Sequence, residues 1–449
     1  MERNLTTGSV FKNIVYFSLP YLLSYFLQTL YGMADLFIIG QFGSVADVTS
    51  VSIGSQVMHM LTVMLVGLAM GTTVTIGRYV GAKKQRETSV TIGNTVTLFM
   101  IISIVITVLL LFSVKPIVAA TSTPEEAVSG AVSYLTICFI GIPFITAYNI
   151  ISSIFRGMGD SKSPMYFIAI ACAVNIILDY LFMGILGMGP SGAALGTVLS
   201  QTVSVITALA VITKRDMGIH IKKSDFKPSR DIMGQLLKIG IPVSLQDGFI
   251  QIAFIVITII ANRRGLNDAA AVGIVEKIIG IFFLVPSSML SSVSALAAQN
   301  IGADKPQRAK QTLKYAIFIA MGFGVIVSVT TQFFSEQIIG IFKDDAAVVT
   351  LGGQYLRSYV WDCIFAGASF SFSGYFCAVE KSGISFLHNI LSILCVRIPV
   401  AYVMSNLYTD TLFPMGLASP LGSLFSIIIC TAAYIIIEKK SKSAPQIDF

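Results

Sequence analysis

Five carboxylates stand inside stretches of the sequence that are otherwise apolar. They are Asp35, Asp179, Asp247, Glu276 and Asp362. If those stretches cross a lipid bilayer, each charge at mid-membrane costs several kcal/mol or more. Acidic residues at such positions normally face the interior of a helix bundle, pair with another group and mark an ion or substrate pathway. These residues are therefore the first candidates for the chemistry of the chain.

The first half of the chain holds oxygen-bearing side chains at one depth. Asn175 precedes Asp179 by four residues, so the two share a helix face about one turn apart. Helix rise puts Asp35 about 8 Å from the outer end of its stretch, with Thr197 and Tyr134 at a similar level. Two carboxylates, an amide carbonyl and hydroxyls are hard ligands that suit a small cation.

Asp35 and Asp179 have no basic partner close in sequence, because the apolar stretches of this half contain no Lys or Arg. Burial and mutual repulsion both disfavour two negative charges side by side. The pair is therefore predicted to bind one proton or one Na⁺. Structural hydrogen bonds between helices are the alternative role for these two residues.

The second half carries intramembrane charges of both signs. Asp362 and Arg397 fall at comparable depth, about 15 to 18 Å from the outer boundary by helix rise, and could form an ion pair. Glu276 could pair with Arg397 instead. Together with Asp247, these residues make a candidate polar network. Structural pairing of Asp362 with Arg397 is favoured over contact with a substrate.

The elements that position these side chains follow from the composition. Of 449 residues, 55% are hydrophobic and 12% are charged, about half the charged share of a soluble protein. Such a chain needs a bilayer around it, since a helix of about 20 apolar residues crosses the hydrocarbon. The sequence predicts an all-α integral membrane protein with twelve transmembrane helices. The predicted spans are 14–40, 48–77, 89–113, 128–154, 164–186, 192–213, 236–261, 269–296, 312–334, 350–378, 384–407 and 415–437.

Loop charges predict the orientation. The two termini and every second loop hold 23 of the 30 Lys and Arg residues, the alternate loops hold five, and two lie inside spans. The positive-inside rule then places both termini in the cytoplasm, as twelve spans require. We expect a multi-pass protein of the inner (plasma) membrane whose net charge of +7 reflects topology rather than nucleic-acid binding.

The chain contains an internal repeat. Leu19-Pro20 matches Ile241-Pro242, and the loop from Gly81 to Arg86 matches the loop from Gly302 to Arg308, both about 221 residues apart. Parallel repeats of six helices are typical of transporters. The predicted organisation is an N-terminal six-helix lobe at 1–213, a cytoplasmic linker at 214–235 and a C-terminal six-helix lobe at 236–449.

Pro20 lies in the first third of span 1. Proline removes a backbone hydrogen bond and favours a kink. Our hypothesis is that loading Asp35 and Asp179 changes the bend of span 1, so that Pro20 has a gating role. A static kink is the alternative.

Several short motifs resemble the multidrug and toxin extrusion (MATE) family, over essentially the whole chain. They are Tyr31-Gly32-Met33-Ala34-Asp35, Gly81-Ala82, Arg156-Gly157-Met158-Gly159-Asp160, Asn175-Ile176-Ile177-Leu178-Asp179 and Gly192-Ala193-Ala194-Leu195-Gly196-Thr197. The resemblance implies two lobes around a V-shaped central cavity, and export of organic, often cationic, compounds in exchange for protons or sodium ions. It also implies an N-lobe cation site at the positions Asp35, Asn175, Asp179 and Thr197, with Tyr134 a weaker match. Some sodium-coupled members carry C-lobe acids in spans 7 and 10, but Gln251 stands near the expected span 7 position.

The predicted function is secondary antiport of organic, cationic, multidrug-type compounds by a monomer. No Walker A motif, enzyme constellation or cofactor motif occurs in the sequence. A flippase for lipid-linked oligosaccharides is the alternative, but an anionic lipid would require several basic residues, and only Lys277 and Arg397 lie within spans. An ion channel or receptor is a further class, which fits the unequal charges of the two halves less well.

Overall fold

The computed structural model describes residues 5–214, 221–343 and 345–443. These ranges are almost entirely helical and contain no β-strand. All twelve predicted spans coincide with helical segments, which confirms the all-α fold class. We number the helices α1 to α12 by span and name both pieces where a helix is interrupted.

The first six helices alternate with short turns. They are α1 (Val10–Phe42), α2 (Val45–Gly81), α3 (Gln85–Ala120), α4 (Glu125–Ile140 and Ile142–Gly157), α5 (Lys162–Asp179, continued by a π-helical turn, Tyr180–Ile185) and α6 (Gly189–Lys214). A short 3₁₀ helix, Lys223–Phe226, follows in the predicted linker. Residues 215–220 of that linker lie outside the described residues.

The next six helices repeat this order. They are α7 (Arg230–Asn262), α8 (Leu266–Phe282 and Leu284–Gly302), α9 (Pro306–Gly340), α10 (Ala346–Tyr359 and Asp362–Ala378), α11 (Ser382–Ser392, a π-helical turn Ile393–Arg397, and Ile398–Leu407) and α12 (Phe413–Gly416 and Ala418–Ser443). The fifth helix of each half thus contains a π-helical turn, a feature that occurs frequently at functional sites.

Local sequence explains where the helices begin. Ser44 caps α2, since its Oγ accepts from the Asp47 N–H at 3.2 Å while the Asp47 carboxylate accepts from the Ser44 N–H at 2.9 Å. This reciprocal pair is a capping box, which satisfies donors that helix geometry leaves free. Ser9 caps α1 through the Lys12 N–H, which donates to its side chain.

Eleven of the twelve helices are long and apolar enough to cross a membrane, counting the two pieces of α4, bent by 49° at Gly141, as one. The exception is α10. Its pieces are rich in Ser, Gly and Tyr, and nearly every residue of Asp362–Ala378 is buried against other helices. Contact with protein replaces contact with lipid along this segment, so its sequence carries less apolar character than the other spans.

The chain folds into two compact units. Unit 1 comprises Met1–Ser244 and Ala298–Pro306, and unit 2 comprises Leu245–Ala297 and Gln307–Phe449. The units differ from the predicted lobes in the first part of α7 and in the turn after α8, which group with unit 1. Unit 1 has apolar clusters between α1, α2, α4 and α6, and unit 2 has one large cluster around α7, α8 and α10.

The described end of the linker is fixed to α3. Asn94 donates to the backbone oxygen of Asp225 at 3.1 Å and accepts from the Ser229 N–H at 2.7 Å. The backbone N–H of Lys222 donates to Asp225 and lowers the pKa of its carboxyl most. Arg86, which lies 2.7 Å from Asp225, lowers that pKa further, against the raising effect of burial.

Candidate functional site

Three helices of unit 1 bring four of the five predicted cation-site residues together. Asp35 comes from α1, Asn175 and Asp179 from α5, and Thr197 from α6, and all four are buried. The Thr197 hydroxyl donates to Asp35 Oδ2 at 3.2 Å. Asp179 and Asn175 are the other polar side chains that interact with the Asp35 carboxylate. The i, i+4 spacing on α5 thus presents both side chains to the same partner.

The polar atoms of this cluster are incompletely satisfied. Within the described part of the chain, Asp35 Oδ1, both Asp179 oxygens and both polar atoms of the Asn175 amide have no hydrogen-bond partner. Each unpaired buried polar group costs about 1 to 3 kcal/mol, and more when it is charged. No Lys or Arg of the described ranges forms an ion pair with either carboxylate. The cluster therefore has the chemistry of a site for one positive ion.

Gly196 makes this cluster possible. A Cβ atom built on Gly196 would lie 2.2 Å from Asp179 Oδ1 and 3.6 Å from Asn175 Nδ2. The Asp179 carboxylate consequently occupies the space that any larger residue would need. The sequence motif Gly192 to Thr197 contains this glycine, but sequence reasoning assigned the site only to Thr197.

The π-helical turn on α5 begins directly after Asp179, at Tyr180. A π turn inserts one extra residue into the hydrogen-bond ladder and locally changes the direction of the following side chains. In this chain the insertion separates Asp179, which faces α1 and α6, from the exposed Tyr180 and Ile185. Nothing in the apolar pattern of the sequence indicated this turn.

Tyr134 lies beside the cluster rather than in it. Its buried ring packs on Gly54 of α2, where a Cβ would come within 2.3 Å of the ring, and its nearest polar neighbour is Cys138. The Asp35 charge acts on Tyr134 only through space. Tyr31, one turn before Asp35 on α1, interacts electrostatically with both carboxylates, and sequence reasoning did not select it.

Pro20 is buried within α1, as predicted. The Ser24 hydroxyl donates to the Pro20 carbonyl at 2.8 Å, which uses an acceptor near the interrupted hydrogen-bond ladder. The neighbouring Tyr21 ring lies 4.0 Å from the buried Arg156 guanidinium. The lower part of α1 is therefore anchored to the end of α4, whereas Asp35 lies about four turns further along the helix.

Unit 2 contains the predicted ion pair between Asp362 and Arg397. The two side chains are 3.4 Å apart, and Arg397 also donates to Ser423 at 3.4 Å. Arg397 pairs with Asp362 rather than with Glu276. Glu276 instead accepts from the Thr258 hydroxyl at 3.1 Å.

The four predicted members of the C-lobe network do not form one cluster. Glu276, Asp362 and Arg397 all act on the buried ring of Tyr359, which packs edge-on against Tyr355 at 5.6 Å. Asp247 is placed elsewhere in unit 2, where the titratable group it influences is Cys377. Asp247 lies in the middle of α7, too far along the helix from Thr258 to share the Glu276 partner.

The MatE family model matches two stretches of the chain, residues 20–181 and 242–403. The second match begins 222 residues after the first, in agreement with the internal repeat. The chain is 25% identical over 444 residues to the probable multidrug resistance protein YoeA of Bacillus subtilis, covering 97% of this chain and 95% of that protein. It is 26% identical over 431 residues to the multidrug export protein MepA of Staphylococcus aureus, covering 94% and 93% of the two chains.

Solved structures of MATE proteins have the same fold. A MATE structure in the straight conformation superposes with a TM-score of 0.91 at 24% sequence identity and covers 98% of each chain. A MATE structure in the bent conformation gives a TM-score of 0.90 at 23% identity with the same coverage. The fold agrees with the family match over both repeats, and the chain therefore belongs to the MatE family of multidrug efflux transporters.

Proposed function

We propose that this chain is a secondary antiporter that exports organic cations in exchange for H⁺ or Na⁺. The coupling ion binds among Asp35, Asn175, Asp179 and Thr197. One observation carries the proposal: two buried carboxylates from different helices meet without a basic partner in the described ranges, and five polar atoms around them lack a hydrogen bond. Such an arrangement is costly as structure alone and becomes favourable when one positive ion is bound.

The residues present fit either coupling ion. A proton on one carboxyl would allow it to donate to the other, and the amide of Asn175 would complete the arrangement. Na⁺ would instead draw the two carboxylates, the Asn175 carbonyl and the Thr197 hydroxyl around it as oxygen ligands. In both cases one positive charge replaces the repulsion between Asp35 and Asp179 with attraction, which draws α1 and α5 together.

Movement of α1 links ion binding to transport in this proposal. Pro20 weakens the hydrogen-bond ladder of α1 between the segment held by Arg156 and the segment that carries Asp35. Closing the site pulls on the far segment while the near segment stays fixed, so the bend at Pro20 changes. The existence of both straight and bent solved forms of MATE proteins is in keeping with such a step.

The membrane setting completes the proposal. The chain is a multi-pass protein of the plasma membrane, works as a monomer, and has both termini in the cytoplasm. The loop charges support this orientation. An oligosaccharide flippase is disfavoured because Arg397, one of the two basic residues within the spans, is already paired with Asp362.

The test is transport into proteoliposomes, with a fluorescent organic cation and separately imposed proton and sodium gradients. Wild-type protein should accumulate the cation under at least one gradient, and that gradient identifies the coupling ion. Asp35→Asn and Asp179→Asn should each abolish gradient-driven uptake. Asp231→Asn, an exposed carboxylate at the start of α7, is the matched control and should transport normally.

Two outcomes would contradict the proposal. Normal gradient-driven uptake by both Asp35→Asn and Asp179→Asn would show that the cluster is not the coupling site. Uptake by wild-type protein that responds to neither gradient would exclude antiport with these ions.

A further inference from the structure

A groove of about 530 Å³ opens on the face of α9 in unit 2. Its floor is an apolar stripe on α9, and its far wall consists of Phe372 from α10 and Tyr434 from α12. The two rings stand edge to face, with their centroids 6.0 Å apart. The groove lies outside the ion site and the Asp362–Arg397 pair, and neither role explains it.

The stripe on α9 has strict helical spacing. The lining residues recur every three or four positions between Lys310 and Val325, so they occupy a single face of the helix. The stripe is about 22 Å long at 1.5 Å per residue. One leaflet of the hydrocarbon core is about 15 Å thick, half of about 30 Å. The groove can therefore hold an extended acyl chain through the whole of one leaflet.

The middle of the groove is open because of Gly322. A Cβ atom built on this residue meets no heavy atom within 4 Å. Phe318, one turn before it, is 79% exposed. A large apolar surface in this position is stable only in contact with lipid or with another apolar molecule.

One end of the groove is basic. Lys310 and Lys314 line it, and Lys310 is paired with Glu438 of α12. Lys439 and Lys440 follow Glu438 directly. These five residues, the rim of the groove, carry a net charge of +3. The opposite end at Val325 carries no charge.

We propose that this groove binds an anionic phospholipid. The phosphate lies at the rim against Lys314 and Lys310, and one acyl chain fills the apolar stripe as far as Val325. Basic pockets between transmembrane helices bind anionic headgroups in this manner. With the orientation proposed above, the rim lies in the cytoplasmic leaflet.

The charge pattern selects this occupant. A zwitterionic headgroup adds a positive amine to the phosphate and so gains less from a rim of net charge +3. A second copy of the chain would have to present the same basic rim and apolar stripe to its partner, which places like charges near each other. A lipid satisfies both ends of the groove at once, because its headgroup is anionic and its tail is apolar.

The experiment compares two lipids with identical acyl chains on the purified full chain in detergent. Dioleoyl-phosphatidylglycerol and dioleoyl-phosphatidylcholine are titrated separately, with native mass spectrometry to count bound lipids and a thermal melt to record stabilisation. A ligand that binds the folded state raises Tm with its concentration. We expect at least ten-fold tighter binding of phosphatidylglycerol, and no response to inorganic phosphate alone.

Three variants locate the site. Gly322→Leu fills the groove and should abolish the preference for phosphatidylglycerol, whereas helix propensity favours folding of this variant. Lys314→Gln should weaken phosphatidylglycerol binding about five-fold, the effect of one basic residue near an anionic lipid. Gly340→Leu is the matched control at the other end of α9, where a Cβ also meets nothing within 4 Å. It should bind as wild type does.

Several results would overturn the proposal. Equal affinity for the two lipids would remove the anionic headgroup, and wild-type binding by Gly322→Leu would remove the groove. Binding of inorganic phosphate with the same affinity would indicate an anion site without a lipid. A mass of two chains that Gly322→Leu reduces to one would show that a second copy occupies this face.

Discussion

Replacement of Gly196 by Ala is the sharpest perturbation of the proposed ion site. The added Cβ would lie 2.2 Å from Asp179 Oδ1 and 3.3 Å from Asp179 Cγ. The carboxylate oxygen has to move by about 1.2 Å to reach ordinary van der Waals contact at 3.4 Å. Binding constellations need to be held within about 0.5 Å of their productive geometry. The displacement therefore exceeds the tolerance of the site.

The expected result is a loss of coupling without a loss of folding. A misplacement of about 1 Å in a positioned group can reduce a rate about 100-fold, and we expect gradient-driven uptake to fall by about 10- to 100-fold. The helix itself should gain up to about 1 kcal/mol, because Ala is a better helix former than Gly. The thermal melt of Gly196→Ala should accordingly stay close to that of wild type.

The assay is the proteoliposome uptake described above, with Gly32→Ala as the matched control. Gly32 lies one turn before Asp35 on α1, and a Cβ there meets no heavy atom within 4 Å. The same change of residue type beside the site should therefore leave uptake unchanged. If Gly196→Ala takes up the cation at the wild-type rate, the placement of Asp179 against α6 does not matter for coupling, and the reasoning fails.

Three further predictions concern the elements around the site. Pro20→Ala restores a hydrogen bond in α1 and should slow uptake several-fold while ion binding persists; an unchanged uptake rate would remove Pro20 from the mechanism. Arg397→Gln leaves Asp362 as an uncompensated buried charge, which costs about 3 to 5 kcal/mol, and a melt of the double variant with Asp362→Asn should recover most of the lost Tm. Because the pKa of Asp225 is lowered in the folded chain, its pairing with Arg86 stabilises the linker above the ordinary carboxyl pKa of about 4 and is lost as the pH falls through the lowered value. Hydrogen exchange of residues 221–229 should thus be slow at pH 7, faster in Arg86→Gln, and as fast in wild type only in strong acid.

Apolar length, loop composition and the repeat were sufficient to predict the helices. Lys83 and Asp304, which follow the matching Gly-Ala pairs, both adopt left-handed backbone conformations, with φ of 58° and 55°. Gly159 and Glu380, also 221 residues apart, both have positive φ as well. The repeat that short sequence matches indicated therefore extends to the turns between helices. Turn geometry is local, and local sequence determines it.

The ion site was predictable in its ligands but not in its close packing. An acid at i+4 from an amide on an apolar helix is visible in the sequence, as Asn175 and Asp179 show. The approach of Asp179 to Gly196 depends on the distance between two helices, and no single-helix pattern contains that distance. The same reason explains Asp247, whose depth along α7 was clear but whose neighbours depend on tertiary packing.

The repeat also shows that the ion site belongs to one half only. At the offset of 222 residues given by the two family matches, Asp35 corresponds to Ile257 and Asp179 corresponds to Ala401. Both replacements are buried in the apolar cluster of unit 2. A carboxylate at either position would lie in a packed apolar core without an opposing acid or amide, so this half cannot form a second copy of the cluster. The two repeats thus share a backbone but divide the chemistry, and the proposed coupling ion acts on unit 1 alone.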